Sequence, residues 1–215
     1  MKNEILKYLS LFLFVLLTVN VNAQLTSSPL EKLIEGNKRF AADIAAHQNQ
    51  NSNRREETAQ QQKPFAVIIT CSDSRVPPEI LFDQGIGDLF VIRTAGNLVD
   101  DIALGSIEYA VEHLKVSLIV VLGHERCGAV DAAVKNVKAL GYIKSLVDNI
   151  AKAVDKARII SGDLLENSIK QNVDNVVEKI RSSKPVLEEF VLHNKIKVIG
   201  ARYDLDEGII TFYEN

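Results

Sequence analysis

The stretch "PFAVIITCSDSRVPPE", from Pro64 to Glu79, decides how this chain is read. Its first half is a continuous apolar run, β-branched at Val67, Ile68, Ile69 and Thr70, which is the pattern of a strand buried on both faces. Its second half sets a thiol at Cys71, a carboxyl at Asp73 and a guanidinium at Arg75 where that strand must end.

Outward from this stretch the strand pattern returns in "DLFVIR" (88–93), "VSLIVVLG" (116–123) and "KIKVIGARY" (195–203), with "GIITFYE" near the end of the chain. Helical stretches lie between them: "VDDIALGSIEYAVEHL", "CGAVDAAVKNVKAL", a long region from about Tyr142 to Ile180, and "KPVLEEFVLHN". The expected fold class is α/β, a mostly parallel central β-sheet flanked by helices. Ahead of it, "SSPLEKLIEGNKRFAADIAA" reads as a helix with Ser28 as N-cap, Pro29 at the first helical position and Glu31 completing a capping box. Leu30, Leu33, Ile34, Phe40, Ala41 and Ile44 recur on it at helical spacing. This helix is expected to form an N-terminal helical arm, able to pack on a partner subunit. The polar "HQNQNSNRREETAQQQK" (47–63) is expected as a solvated loop or frayed helix.

The first residues, "MKNEILKYLSLFLFVLLTVNVNAQ", carry Lys2 and Lys7, a short apolar stretch to Val19, and Val21-Asn22-Ala23 as a small-residue exit. This is the pattern of a secretory signal peptide. The apolar stretch is short for a membrane span, so the expectation is an exported protein, periplasmic or secreted, with no stable membrane anchor after cleavage. The chain divides into 1–23 as signal peptide, 24–63 as arm and polar loop, and 64–215 as one α/β domain. Its 215 residues are few for two independent cores. A net charge of −3 argues against nucleic acid or anionic lipid as a partner.

In an open parallel sheet, ligands bind outside the carboxyl ends of the strands. Cys71 follows "AVIIT", while His124 and Cys127, in "GHERCGAV", follow "LIVVLG", so both motifs leave the sheet at one edge. The chain has only these two cysteines. Two thiolates and an imidazole suit zinc, and three protein ligands leave a fourth position open, as catalytic zinc sites do. In an oxidising compartment the same two cysteines suit a disulfide stapling a non-enzymatic domain, and both readings stay open at this level. His47 lies in the polar segment, and His113 and His193 lie near helix C-termini, where structural roles account for them. "DQGIGDLF" (83–90) lacks the third glycine of a dinucleotide loop and leads into a strand, so Gly85 and Gly87 read as turn residues and no organic cofactor is expected.

Taken together, "CSDSRVPPE", "LFVIRTAGN" and "GHERCGAV", in this order, resemble the β-class carbonic anhydrases. The resemblance runs from about Pro29 to the end of the chain and includes "YDLDEG" near Tyr203. It implies one Zn2+ per chain on Cys71, His124 and Cys127, with Asp73 and Arg75 as a dyad beside the metal. It also implies a homodimer or homotetramer with the site near the subunit interface. The activity implied is reversible hydration of carbon dioxide to bicarbonate and a proton by zinc-bound hydroxide, the pKa of the bound water falling from about 15.7 to near 7. Two thiolates cancel much of the metal's charge, so a carboxylate that orients the water gains importance. Asp73, kept ionised by Arg75, suits that task.

Gly96, Gly128 and Ala129 are expected along the substrate pocket, with apolar walls from Val76, Phe82 or Phe90. Family members that close a carboxylate onto the metal carry a bicarbonate pocket of Trp, Arg and Tyr. Arg93 and Tyr203 match two of these, but the chain has no Trp and Ile68 stands at the third position, so an open form without bicarbonate switching is expected. Hydrolysis of carbonyl sulfide or carbon disulfide is the alternative chemistry on the same fold.

Overall fold

The computed structural model describes residues 27–213 and contains a five-stranded sheet in the order β2-β1-β3-β4-β5. β1 (Ala66–Cys71), β2 (Leu89–Thr94), β3 (Leu118–His124) and β4 (Lys197–Tyr203) pair in parallel, and β5 (Ile210–Phe212) runs antiparallel against β4. The helices are α1 (Pro29–Ala41), α2 (Ser52–Thr58), α3 (Pro78–Leu81), α4 (Asp101–Glu112), α5 (Gly128–Val134), α6 (Ile143–Ala157), α7 (Leu164–Arg181) and α8 (Val186–Leu192). This is the α/β architecture expected. The signal-peptide reading falls outside the described residues, and among those residues no helix is long and apolar enough to cross a membrane.

Every residue of β1 and β3 is buried, because helices cover the sheet on both faces. Side chains alternate between two cores. Val67, Ile69, Ile119 and Val121 join residues of α4, α7 and α8, including Ile107, Val173, Ile180 and Leu187. Ile68, Val120, Leu122 and Ile199 meet Leu33 of α1 together with Val76, Leu81 and Phe82.

The capping box at Ser28 and Glu31 forms as expected, and α1 lies against the body of its own chain. Asn37 makes that docking specific. Its amide donates to Leu81 O (3.1 Å) and Gly208 O (2.9 Å) and accepts from Ile210 N (2.8 Å), joining α1 to α3 and β5. Gly36 is required beside it, because a Cβ there would fall 1.8 Å from Phe82 O. The helix ends at Ala41 and Asp43 turns to positive φ, so Ile44 leaves the expected stripe and is exposed. The polar segment is more ordered than its composition suggests. Asn51 caps α2, and Arg54 ties it to Asp88 (3.0 Å) and Ile86 O (2.8 Å), although α2 buries no residue.

Candidate metal centre

The register of the sheet assembles the site. Thr70 is level with Leu122 and His124 with Tyr203, so Cys71 and His124 leave the same carboxyl edge on adjacent strands. Cys127 follows after a short turn in which Arg126 adopts positive φ, and it stands at the start of α5. The two sulfurs and a ring nitrogen of His124 lie within 4.8 Å of one another, and all three side chains are buried. Both cysteines are free thiols.

His124 Nδ1 lies 2.9 Å from Glu125 O, and a carbonyl oxygen can only accept, so Nδ1 carries the hydrogen and Nε2 the lone pair. Nε2 is buried and has no hydrogen-bond partner. A buried acceptor costs free energy when left alone, and this one points among two thiols. That arrangement is what a metal-ligating histidine shows, with its second nitrogen oriented by a backbone carbonyl.

The thiols are strongly unequal. The hydrogen bond from Cys127 is the main cause that lowers the pKa of Cys71, against the cost of burial, with help from the Gly96 N–H. The same bond and burial push Cys127 up, although the amides of Ala129 and Val130 act in the opposite direction. A metal takes cysteines as thiolates, so the surroundings that lower Cys71 favour its ligating form.

Asp73 sits beside this group. Arg75 grips it with two side-chain bonds, Nε to Oδ1 (2.9 Å) and Nη2 to Oδ2 (2.7 Å), and its backbone N–H also donates to Oδ1 (3.0 Å). The Arg75 hydrogen bond, acting against partial burial, holds the Asp73 carboxyl well below the usual carboxylate range. Asp73 Oδ2 is 3.9 Å from the orphaned His124 Nε2. Arg93 steadies the backbone below, donating Nε to Cys71 O (3.1 Å) and Nη2 to Asp73 O (2.7 Å).

The apolar wall differs from the expected one. Val76 and Phe82 are fully buried in the core under α1, where Phe82 stacks on Phe212, and Phe90 packs into the core on the opposite face. The cysteines instead share a third cluster with Val130, Ala133, Val147, Ile150, Val154 and Ile169 from α5, α6 and α7. Those residues sit on amphipathic helices whose partners cannot be assigned from periodicity alone. Of the expected pocket residues, Gly96 donates its N–H to Cys71 Sγ (3.3 Å), while a Cβ on Gly128 would point into open space and Ala129 is half-buried. Ile68, at the position of the missing Trp, is in the core. A second acidic group, Glu125 with Asp204 and Asp206, is answered by Arg126 (2.8 Å to Asp206) and Arg202 (3.2 Å to Asp204) and forms an ion-pair network.

Comparison with known proteins decides the family. The family profile described as "Carbonic anhydrase" matches residues 66–210. The chain belongs to the carbonic anhydrase family. It is 41% identical over 180 residues to carbonic anhydrase 2 of Mycobacterium tuberculosis, a match covering 82% of this chain and 87% of the relative. It is 38% identical over 180 residues to the carbonic anhydrase of Mycolicibacterium smegmatis, with the same coverage. Solved structures place it in the β class. A tetrameric β-carbonic anhydrase of Sordaria macrospora superposes with a TM-score of 0.70 at 26% identity, covering 86% of this chain and 97% of that one. The Coccomyxa β-carbonic anhydrase in complex with acetazolamide gives 0.67 at 29% identity, covering 85% of both chains. β-Carbonic anhydrases use zinc, and the Cys71, His124 and Cys127 donors with the orphaned Nε2 fit that ion.

Proposed function

We propose that this chain catalyses the reversible hydration of carbon dioxide to bicarbonate and a proton, with zinc held by Cys71, His124 and Cys127. The observation that carries the reading is the buried, unpartnered His124 Nε2 among two free thiols, next to a carboxylate gripped by arginine. Zinc in this position supplies hydroxide at neutral pH by lowering the pKa of water from about 15.7 to near 7.

The remaining work falls to the chain. Asp73 is ionised and can only accept hydrogen bonds, so its Oδ2 would accept the hydrogen of a hydroxide placed beside it and orient that oxygen toward the substrate carbon. Arg75 fixes both carboxylate oxygens, which would hold Asp73 in one orientation without rearrangement during turnover. The apolar cluster around Ile150 and Val147 keeps bulk water from the sulfurs, and Gly128 and Ala129 leave room for a small nonpolar molecule.

The tetrameric assembly of the Sordaria enzyme supports a homo-oligomer, dimer or tetramer, for this chain as well. The signal-like pattern of residues 1–23 supports export to the periplasm or beyond, which the N-terminal sequence of the protein recovered from that compartment tests.

Stopped-flow carbon dioxide hydration by the zinc-loaded protein, from about pH 7 to 9 with a chelated control, tests the activity. Chelator-sensitive turnover that rises with pH is expected. A zinc-loaded protein inert toward carbon dioxide but active on carbonyl sulfide or carbon disulfide overturns the substrate.

A further inference from the structure

α7 carries a buried amide in an apolar face: Asn172 is 2% exposed, flanked on its helix by Ile169, Val173 and Val176. An amide in such surroundings is costly unless paired, and this one donates Nδ2 to Gly96 O at 2.8 Å. Gly96 is an unusual residue to hold. It has φ 70° and ψ 22°, a left-handed conformation inside the turn Ala95–Asn97, and its own N–H donates to Cys71 Sγ at 3.3 Å. A Cβ there would meet Ile150 Cδ1 at 2.9 Å and Ala129 Cβ at 3.2 Å. Gly96 is therefore clamped between α5 and α6 on one side and fastened by its carbonyl to α7.

We infer that Asn172 is a positioning residue for the metal centre: by locking the Gly96 carbonyl it keeps the Gly96 N–H on the Cys71 sulfur and so restrains the geometry and electron donation of that ligand. The inference rests on Cys71 being a zinc ligand. An N–H donor draws charge from a thiolate, and outer partners of this kind are worth roughly 10-fold to 100-fold in metal affinity. No short motif marks Asn172, which lies between "GHERCGAV" and "YDLDEG".

The test compares wild type with Asn172→Leu, near in size and without a donor. In the cobalt-loaded proteins the variant's thiolate-to-metal charge-transfer band moves to longer wavelength, because its sulfur is more electron-rich. Its zinc affinity by chelator competition falls roughly 10-fold or more, because the loss of positioning of Cys71 outweighs its stronger donation. A folded variant with an unmoved band and zinc affinity within about twofold of wild type overturns the inference while leaving the zinc site standing. A second measurement needs no variant: in wild type loaded with cadmium-113, the Gly96 amide proton shows scalar coupling to the metal through the sulfur, and its absence also overturns the inference. A wild type that takes up none of these metals removes the zinc reading itself, and this inference with it.

Discussion

Two Asp–Arg pairs in this chain look alike and do different work. Asp83 is almost fully enclosed, and it accepts from Arg39 Nε, Ala46 N (2.9 Å) and His47 N (3.0 Å), so every partner belongs to the scaffold that fixes the segment after α1. Asp73 is gripped by Arg75 as firmly, yet it is partly open, and its Oδ2 faces an unpartnered imidazole nitrogen beside two free thiols. Both carboxyls lie below their ordinary value. A lowered pKa alone therefore does not find a catalytic group; what separates the two is the unsatisfied chemistry next to one of them.

The sharpest break of this comparison is Asp73→Asn. Zinc content is expected to stay at one per chain while carbon dioxide turnover falls roughly 10²-fold to 10⁴-fold, the range of a lost acid–base group. Near-normal turnover in the metal-replete variant would place Asp73 with Asp83 as a structural residue. The converse change, Asp83→Ala, leaves turnover per folded, zinc-loaded chain unaltered and costs about 3 kcal/mol, because Arg39 and two backbone amides lose their acceptor. A drop in melting temperature of roughly 10 °C checks it.

pH sharpens the same contrast. Burial opposes ionisation of Asp83, but the Ala46 and His47 amides and Arg39 outweigh it, so its folded pKa lies below the unfolded value of 3.8. Its stabilisation is complete above that value and fades as pH falls through the lower folded one. The gap between wild type and Asp83→Ala in urea midpoint is expected to narrow between pH 7 and pH 3, and a constant gap would contradict the assignment. Arg75→Lys is the mildest change. It keeps the charge but loses the two-pronged grip, and a fall of roughly 10-fold in turnover with zinc retained is expected from the stopped-flow assay.

Much of this was legible in the sequence because the relevant signals are local. Continuous apolar runs announce strands buried on both faces, and the order of strand ends places Cys71, His124 and Cys127 at one edge before any coordinates exist. The residues that escaped notice act through distance. Asn37 joins α1 to β5, Asn172 reaches Gly96 from α7, and Arg93, noticed in the sequence only as a match to a bicarbonate pocket, holds the backbone of Cys71 and Asp73 from the neighbouring strand. A polar side chain in a helix carries no mark of its partner 76 residues away. The apolar wall was misplaced for the same reason: Phe82 and Val76 stand near Cys71 in sequence, whereas Ile150 and Val147, which pack around it, come from a helix whose docking face only the tertiary structure defines.

The most direct test of the whole account is native mass spectrometry of the wild type beside Cys127→Ser, both exposed to the same limiting zinc. The account predicts one zinc per chain in the wild type and a large loss of it in the variant. A wild-type chain with no zinc and the mass of a closed disulfide, or a variant that keeps its full zinc load, would contradict it.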